Sequence, residues 1–311
     1  MPDCLIISSD AVDLAREIER ISEIPIEIRP CFSAEQAVSE YGGETILFGK
    51  PAMIAQALPE MPGVEWVQSS WAGVEPLLNF ERRDYLLTGI KGVFGPQMSE
   101  YVFGHLLAFE LRLSEREARQ KKKEWYQARS GTLHGKRLGI MGTGSIGRHI
   151  ARTATAFGMT VSGLSRTGEA VSGFDSVEPS HRINGWLGDL DYLVSTLPRT
   201  PQTNHLLNEK TLALLPGHCF LVNVGRSNVL DEAALFDALK NRRLGGAALD
   251  VFEQEPLPED SPLWHCPGLS ITAHISAISH PGLIAPIFVE NYRRYREGLE
   301  LKYQVDFSSG Y

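Results

Sequence analysis

Residues 136–147, KRLGIMGTGSIG, decide the fold of this chain: a short apolar run passes directly into Gly-x-Gly-x-x-Gly at Gly142, Gly144 and Gly147. The helical pattern RHIARTATAF follows at 148–157. Strand, glycine turn and helix in that order make a phosphate cradle. Gly142 permits the tight turn, Gly144 lets a pyrophosphate approach the backbone, and Gly147 lets the helix pack close to the strand, with unpaired amides at the helix N-terminus facing the anion. A dinucleotide is the expected ligand.

Working outward, strand and helix patterns alternate on both sides of this turn. Downstream come the strand patterns TVSGLSR, DYLVSTL, CFLVNVG, GAALDVF and LSITAHI, with helical patterns at IGRHIARTATAFG, EKTLALL and EAALFDALKN. That pitch predicts a doubly wound sheet of about six or seven parallel strands. Upstream, the strand patterns CLIISS, IPIEIRP, ETILFGK and VEWVQSS alternate with DAVDLAREIERIS, AEQAVSEY and PAMIAQALPEM, which predicts a smaller parallel α/β domain. Between them, residues 98–123 form one long helical pattern, read as a connector, and PGLIAPIFVENYRRYREGLELKY near the end is a helix that can return to the first domain. The expected organisation is α/β with two doubly wound parallel-sheet domains: residues 1–97 and 276–311 form a discontinuous smaller domain, and 98–275 a dinucleotide-binding Rossmann domain inserted in it.

Composition narrows the function classes. The 311 residues, about twice a usual domain, are 43% hydrophobic and 22% charged, with no apolar run approaching a bilayer span. A net charge of -8 disfavours nucleic-acid binding, which needs a basic surface. The basic run at Lys121, Lys122 and Lys123 reads as a solvated helix face. The opening MPDCLIISSDA has no basic segment followed by a long apolar core, so a cytoplasmic location is expected. Cys4, Cys31, Cys219 and Cys266 are scattered without metal spacing, and neither a disulfide nor a metal site is expected.

Three further motifs follow the glycine turn in order: LVNVGRSNVLDEAAL around Arg226, GGAALDVFEQEPLP with Glu255, and LSITAHISA around His274. With the turn they resemble the D-isomer-specific 2-hydroxyacid dehydrogenase family, whose catalytic Arg, Glu and His sit in motifs of this form. The resemblance covers nearly all of the chain from the connecting helix onward and is weaker in the first domain, where it rests on SSWAGVEPLL. It implies a flavodoxin-like substrate domain around the cofactor domain and a homodimer joined through the cofactor domains, with the helix from Met98 a candidate contact. Related sequences usually have proline immediately before the catalytic histidine, whereas this chain has Ala273.

The residue types suit the chemistry. A hydride delivered to a ketone leaves an oxyanion that must be protonated, and a histidine is the natural donor, so His274 is the expected acid. A carboxylate on the other ring nitrogen orients the imidazole and favours its charged form, the role expected of Glu255. Arg226 matches the planar geometry of a 2-oxo acid carboxylate and polarises the neighbouring carbonyl. The other eight histidines lack such company and are read as structural or surface residues. By resemblance, the turn at Trp71, Ala72, Gly73 and Val74 is the substrate loop, its amides holding the substrate carboxylate opposite Arg226. Trp71 either narrows the pocket toward short acids or packs at a domain interface.

The cofactor is read from the strand after the glycine helix. An NAD enzyme places an acid about 20 residues beyond the turn, and an arginine there accommodates a 2′-phosphate instead. Here Ser165, Arg166 and Thr167 occupy the position and the nearest acid is Glu169. NADPH is therefore preferred, with NADH possible if Arg166 is merely exposed. By resemblance, Ser145, Ile146, Leu197, Pro198, Thr203, Val224, Gly225 and Asp250 also touch the cofactor. WAGVEPLL, GLSRT and the tail QVDFSSGY resemble the branch of the family that reduces glyoxylate and hydroxypyruvate to glycolate and D-glycerate. An NAD-linked dehydrogenase of another 2-hydroxy acid, or a catalytically silent dinucleotide-sensing protein, are the alternatives.

Overall fold

The computed structural model describes residues 3–307, so 308–311 of the tail quoted above lie outside the described residues. In chain order the elements are β1 Cys4–Ile7, α1 Ala11–Ile21, β2 Ile28–Cys31, α2 Ala34–Glu40, β3 Ile46–Gly49, α3 Pro51–Ala57, β4 Trp66–Ser69, α4 Glu75–Leu78 and β5 Leu86–Thr88. Next come α5 Gly95–Glu110, α6 Leu113–Lys121, β6 Arg137–Met141, α7 Ser145–Ala156, β7 Thr160–Ser165, β8 Ser176–Pro179, α8 Ile183–Trp186 and β9 Tyr192–Ser195. The chain ends with α9 Glu209–Leu212, β10 Phe220–Asn223, α10 Glu232–Lys240, β11 Gly246–Leu249, β12 Leu269–Ile271 and α11 Pro281–Arg296. Two compact units result: residues 1–93 with 279–311, and residues 94–278. Among the described residues no helix is long and apolar enough to cross a membrane.

The first unit is built on a five-stranded sheet in the order β2-β1-β3-β4-β5, with parallel pairing throughout. β1, β3 and β4 are buried along their whole length, as strands covered on both faces must be. α11 supplies part of that cover: Phe288 stacks on Phe48 of β3 at 4.7 Å and on Trp66 of β4 at 5.4 Å. β5 is too short and too near the polar run NFERRDY to stand out by pattern.

The second unit carries a seven-stranded parallel sheet in the order β12-β11-β10-β9-β6-β7-β8. Two parallel sheets in an α/β chain are what the strand and helix patterns called for. The edge strand β8, SVEP, is only half-buried and carries no apolar run, which is why periodicity missed it. The expected single helix over 98–123 is two helices. Arg112 turns left-handed at φ 52°, and the Arg116 side chain reaches back to the Leu111 carbonyl at 2.7 Å and across to the Ala128 carbonyl at 2.7 Å. A guanidinium thus takes over the carbonyl at the end of α5 and ties the bend to the loop beyond α6.

Asn291 of α11 is the polar peg of the first unit. Fully buried, it donates to Gln68 Oε1 at 3.1 Å and to the Lys302 carbonyl at 3.0 Å, and it accepts the Lys302 amide at 2.7 Å. Asn291→Leu keeps the branched shape but adds bulk and leaves the Lys302 carbonyl and amide without that partner, while Gln68 Oε1 keeps the Thr88 hydroxyl, and should lower stability by about 2 kcal/mol. Urea denaturation followed by circular dichroism checks this, and a midpoint equal to wild type would refute it.

Candidate active site

The ends of β6, β9 and β10 converge because their glycines allow the backbones to touch. A Cβ on Gly225 would come within 2.7 Å of the Leu197 amide nitrogen and carbonyl oxygen, and one on Gly147 would fall 2.0 Å from the Gly142 carbonyl. Gly142 itself sits at φ 101°. A Cβ at Gly144 would meet only open space, and α7 starts with no side chain capping its amides. These features leave the first-turn amides of Ser145, Ile146 and Gly147 free behind an unobstructed glycine. The cradle thus fits a pyrophosphate.

The other residues expected on a cofactor line the same C-terminal edge of this sheet. Leu197 and Pro198 follow β9, in a loop closed by Thr203, whose hydroxyl donates to the Pro198 carbonyl at 2.8 Å. Buried Val224 and Gly225 follow β10. After β7 the Ser165 hydroxyl accepts the Gly168 amide at 3.0 Å, closing a turn on which Arg166 and Thr167 are exposed. Two residues that the sequence reading passed over shape this edge. Thr196 donates its hydroxyl to the Met141 carbonyl at 3.0 Å, tying β9 to β6. Buried Asn223 accepts the Gly225 amide at 3.2 Å and donates to the Arg226 carbonyl at 3.3 Å, folding the turn that carries Arg226.

Arg226, Glu255 and His274 follow β10, β11 and β12, three neighbours in the sheet. His274 Nδ1 lies 2.9 Å from Glu255 Oε2, and the other oxygen of Glu255 accepts the Phe252 amide at 3.0 Å. The imidazole is therefore held at one nitrogen by a carboxylate that is itself fixed. His274 is left-handed, φ 55°, a conformation that costs a non-glycine residue about 1–3 kcal/mol. Glu232 of α10 buttresses the preceding turn by accepting the Glu253 amide at 2.6 Å. Burial, then the charges of Glu253 and Glu255, push the Glu232 carboxyl above its usual range.

Asp250, expected on the cofactor, is fully buried here and devotes both oxygens to the histidine loop. Oδ1 accepts the Thr272 hydroxyl at 2.6 Å and the Ile275 amide at 2.8 Å, and Oδ2 accepts the Ser276 amide at 2.9 Å. Its backbone carbonyl takes the His274 amide at 2.8 Å. Because Thr272 donates to Asp250, it accepts from Tyr101, 2.7 Å away, and burial pushes that phenol up to about 12, so it keeps the proton it donates. Such a sequence-distant network leaves no local signal.

In the first unit, Trp71 is 45% exposed at the end of β4, and Ser69 holds the turn by donating to the Trp71 carbonyl at 2.8 Å and accepting its amide at 3.0 Å. Ala72, Gly73 and buried Val74 follow before α4.

Comparison with known proteins places this architecture. Residues 103–276 match the D-isomer specific 2-hydroxyacid dehydrogenase, NAD binding domain family. A glyoxylate/hydroxypyruvate reductase A from Yersinia enterocolitica is 32% identical over 249 residues, 77% of this chain and 79% of that protein. A D-isomer specific 2-hydroxyacid dehydrogenase family protein from Aeromonas salmonicida, of known structure, aligns with a TM-score of 0.95 at 42% identity, over 99% of this chain and 100% of its own. The NADPH-dependent glyoxylate/hydroxypyruvate reductase of Sinorhizobium meliloti, solved with NADP and sulfate, aligns at 0.85 with 28% identity, over 99% and 100% of the two chains. With the glycine cradle and the paired imidazole and carboxylate in view, this chain belongs to the D-isomer-specific 2-hydroxyacid dehydrogenase family of NAD(P)-binding enzymes.

Proposed function

We propose that this protein is an NADPH-dependent reductase of short 2-oxo acids, converting glyoxylate to glycolate and hydroxypyruvate to D-glycerate. The observation that carries the reading is the His274–Glu255 contact of 2.9 Å at the end of the sheet that also bears the glycine cradle. The likeness to reductases named for these two acids supports the substrates. Arg166 on the turn after β7, with no carboxylate beside it in sequence until Glu169, supports the phosphorylated cofactor. Residues 98–275 are then the dinucleotide-binding domain, and residues 1–97 with 276–311 the substrate domain. A homodimer contacting through α5, carried over from the resemblance, and the cytoplasmic location expected from the sequence belong to the same reading.

Bound at the cradle, a reduced nicotinamide would supply the hydride. Ser145, Ile146 and Gly147 hold its pyrophosphate through their amides, and Leu197, Pro198, Val224 and Gly225 form the surface beside it. Arg226 pairs with the substrate carboxylate and polarises the carbonyl oxygen. His274, steadied through Nδ1 by Glu255, gives the proton on Nε2 to the oxygen that becomes the hydroxyl. Asp250 works at one remove, holding the His274 backbone.

The first test follows NADPH consumption by absorbance with glyoxylate and hydroxypyruvate: saturable turnover is expected, and tight NADPH binding without oxidation in the presence of any short 2-oxo acid would make the protein a dinucleotide sensor instead. His274→Gln should lower kcat by ~10²–10⁴ with the circular dichroism spectrum unchanged, and a near-normal rate would remove it from the acid role. Since each reduction consumes the proton that the imidazole gives, the wild-type rate should fall on the alkaline side of its profile, and the residual rate of His274→Gln should lack that limb. A wild-type rate independent of pH on the alkaline side contradicts the assignment.

A further inference from the structure

On α7, the residue just past the glycine turn is an arginine, and three observations fix where its side chain stands. Gly147 faces the strand, where a Cβ would meet the Gly142 carbonyl at 2.0 Å, and His149 faces α5, its Nδ1 lying 2.6 Å from Ser99 Oγ. At about 100° per residue, Arg148 projects sideways, between those two directions. Its Nε donates to the Thr143 carbonyl at 3.1 Å, and Thr143 in turn lies over β7: its methyl is 2.8 Å from where a Cβ on Gly163 would be. One helical turn on, Arg152 lies on the same flank, with Cγ 3.8 Å from the Cβ position of Gly173 in the loop that follows β7. The Arg148 guanidinium is thus anchored on the β7 side of the cradle, on the flank facing the loop that begins with Arg166.

Charge points the same way. Arg148, Arg152 and Arg166 are all exposed, and none forms an ion pair among the described residues of a chain whose net charge is -8. Glu169, the only acid in residues 166–174, pairs with none of them, and the nearby Glu178 is engaged by Arg182 at 3.5 Å. Unopposed guanidinium groups beside the site of an adenosine ribose suit a doubly charged phosphate and add nothing for a ribose hydroxyl. Nε is committed to Thr143, which leaves the two Nη groups of Arg148 to present to a phosphate.

We propose that Arg148 is a second cation for the 2′-phosphate, so that cofactor choice rests on an arginine pair, Arg148 and Arg166, drawn from the helix and the strand end. This deepens the NADPH reading above and rests on it. It assigns selectivity to a residue of the helix that follows the glycine turn, outside the strand-end position where selectivity is ordinarily read.

Isothermal titration of the full-length protein with NADPH, NADH and adenosine 2′,5′-bisphosphate tests the pair. Arg148→Gln should weaken NADPH and the bisphosphate by about tenfold and change NADH by less than about twofold. Arg148→Gln combined with Arg166→Gln should bring NADPH down to the level of NADH. Arg148→Lys separates charge from anchoring: it should retain most of the NADPH preference, whereas a side chain needed only to pin Thr143 would lose both cofactors together. Equal losses with NADPH and NADH in Arg148→Gln, or no loss with either, would overturn the proposal while leaving the wild-type NADPH preference intact. Absence of that preference in the wild type would overturn the NADPH reading and this inference with it.

Discussion

A carboxylate with no access to water holds the histidine loop in place. Stripping solvent from Asp250 costs several kcal/mol unless donors replace it, and the Thr272 hydroxyl with the Ile275 and Ser276 amides are the replacements. Those bonds set the path of the chain on both sides of His274, and the Asp250 carbonyl takes the amide of His274 itself. The left-handed backbone at His274 is sustained by that enclosure, since nothing in an imidazole favours it. With Ala273 ahead of the histidine, this chain gets its rigidity there from hydrogen bonds.

The sheet of the second unit converts that local order into a site. Strand ends from β6 to β12 share one edge, so groups more than a hundred residues apart, Gly142 and His274 among them, stand in one row. The row is dense because glycine permits contact of backbone with backbone at Gly147 and Gly225, and it is ordered by side chains such as Thr196 and Asn223 that bond across neighbouring turns. Charges divide along it: carboxylates gather around the imidazole at one end, with Glu232 raised by burial and then by their company, while unopposed arginines gather around β7 at the other. An anionic cofactor tail and a proton donor need those opposite surroundings.

Much of this was legible in the chain. Period-two and period-3.6 patterns located the buried strands and the longer helices, because burial on both faces forces apolar runs. The glycine turn was legible because its form is carried by backbone within six consecutive residues. The weakly amphipathic elements were not: β8 has no apolar run, β5 has three residues, and the break at Arg112 depends on Arg116 and a segment more than ten residues away.

Sequence alone determined the α/β class and the order of the motifs, and it marked the glycine turn, imidazole, carboxylate and guanidinium proposed for the site, since each is written in contiguous residues or local periodicity. Tertiary structure decided that Asp250 serves the loop, that His274 is left-handed, that Thr196 and Asn223 tie the strand ends together, and that Arg148 is anchored on the β7 side of the cradle. The physical reason is that a hydrogen bond between groups distant in the chain depends on where packing brings donor and acceptor, and no neighbouring residue records that position.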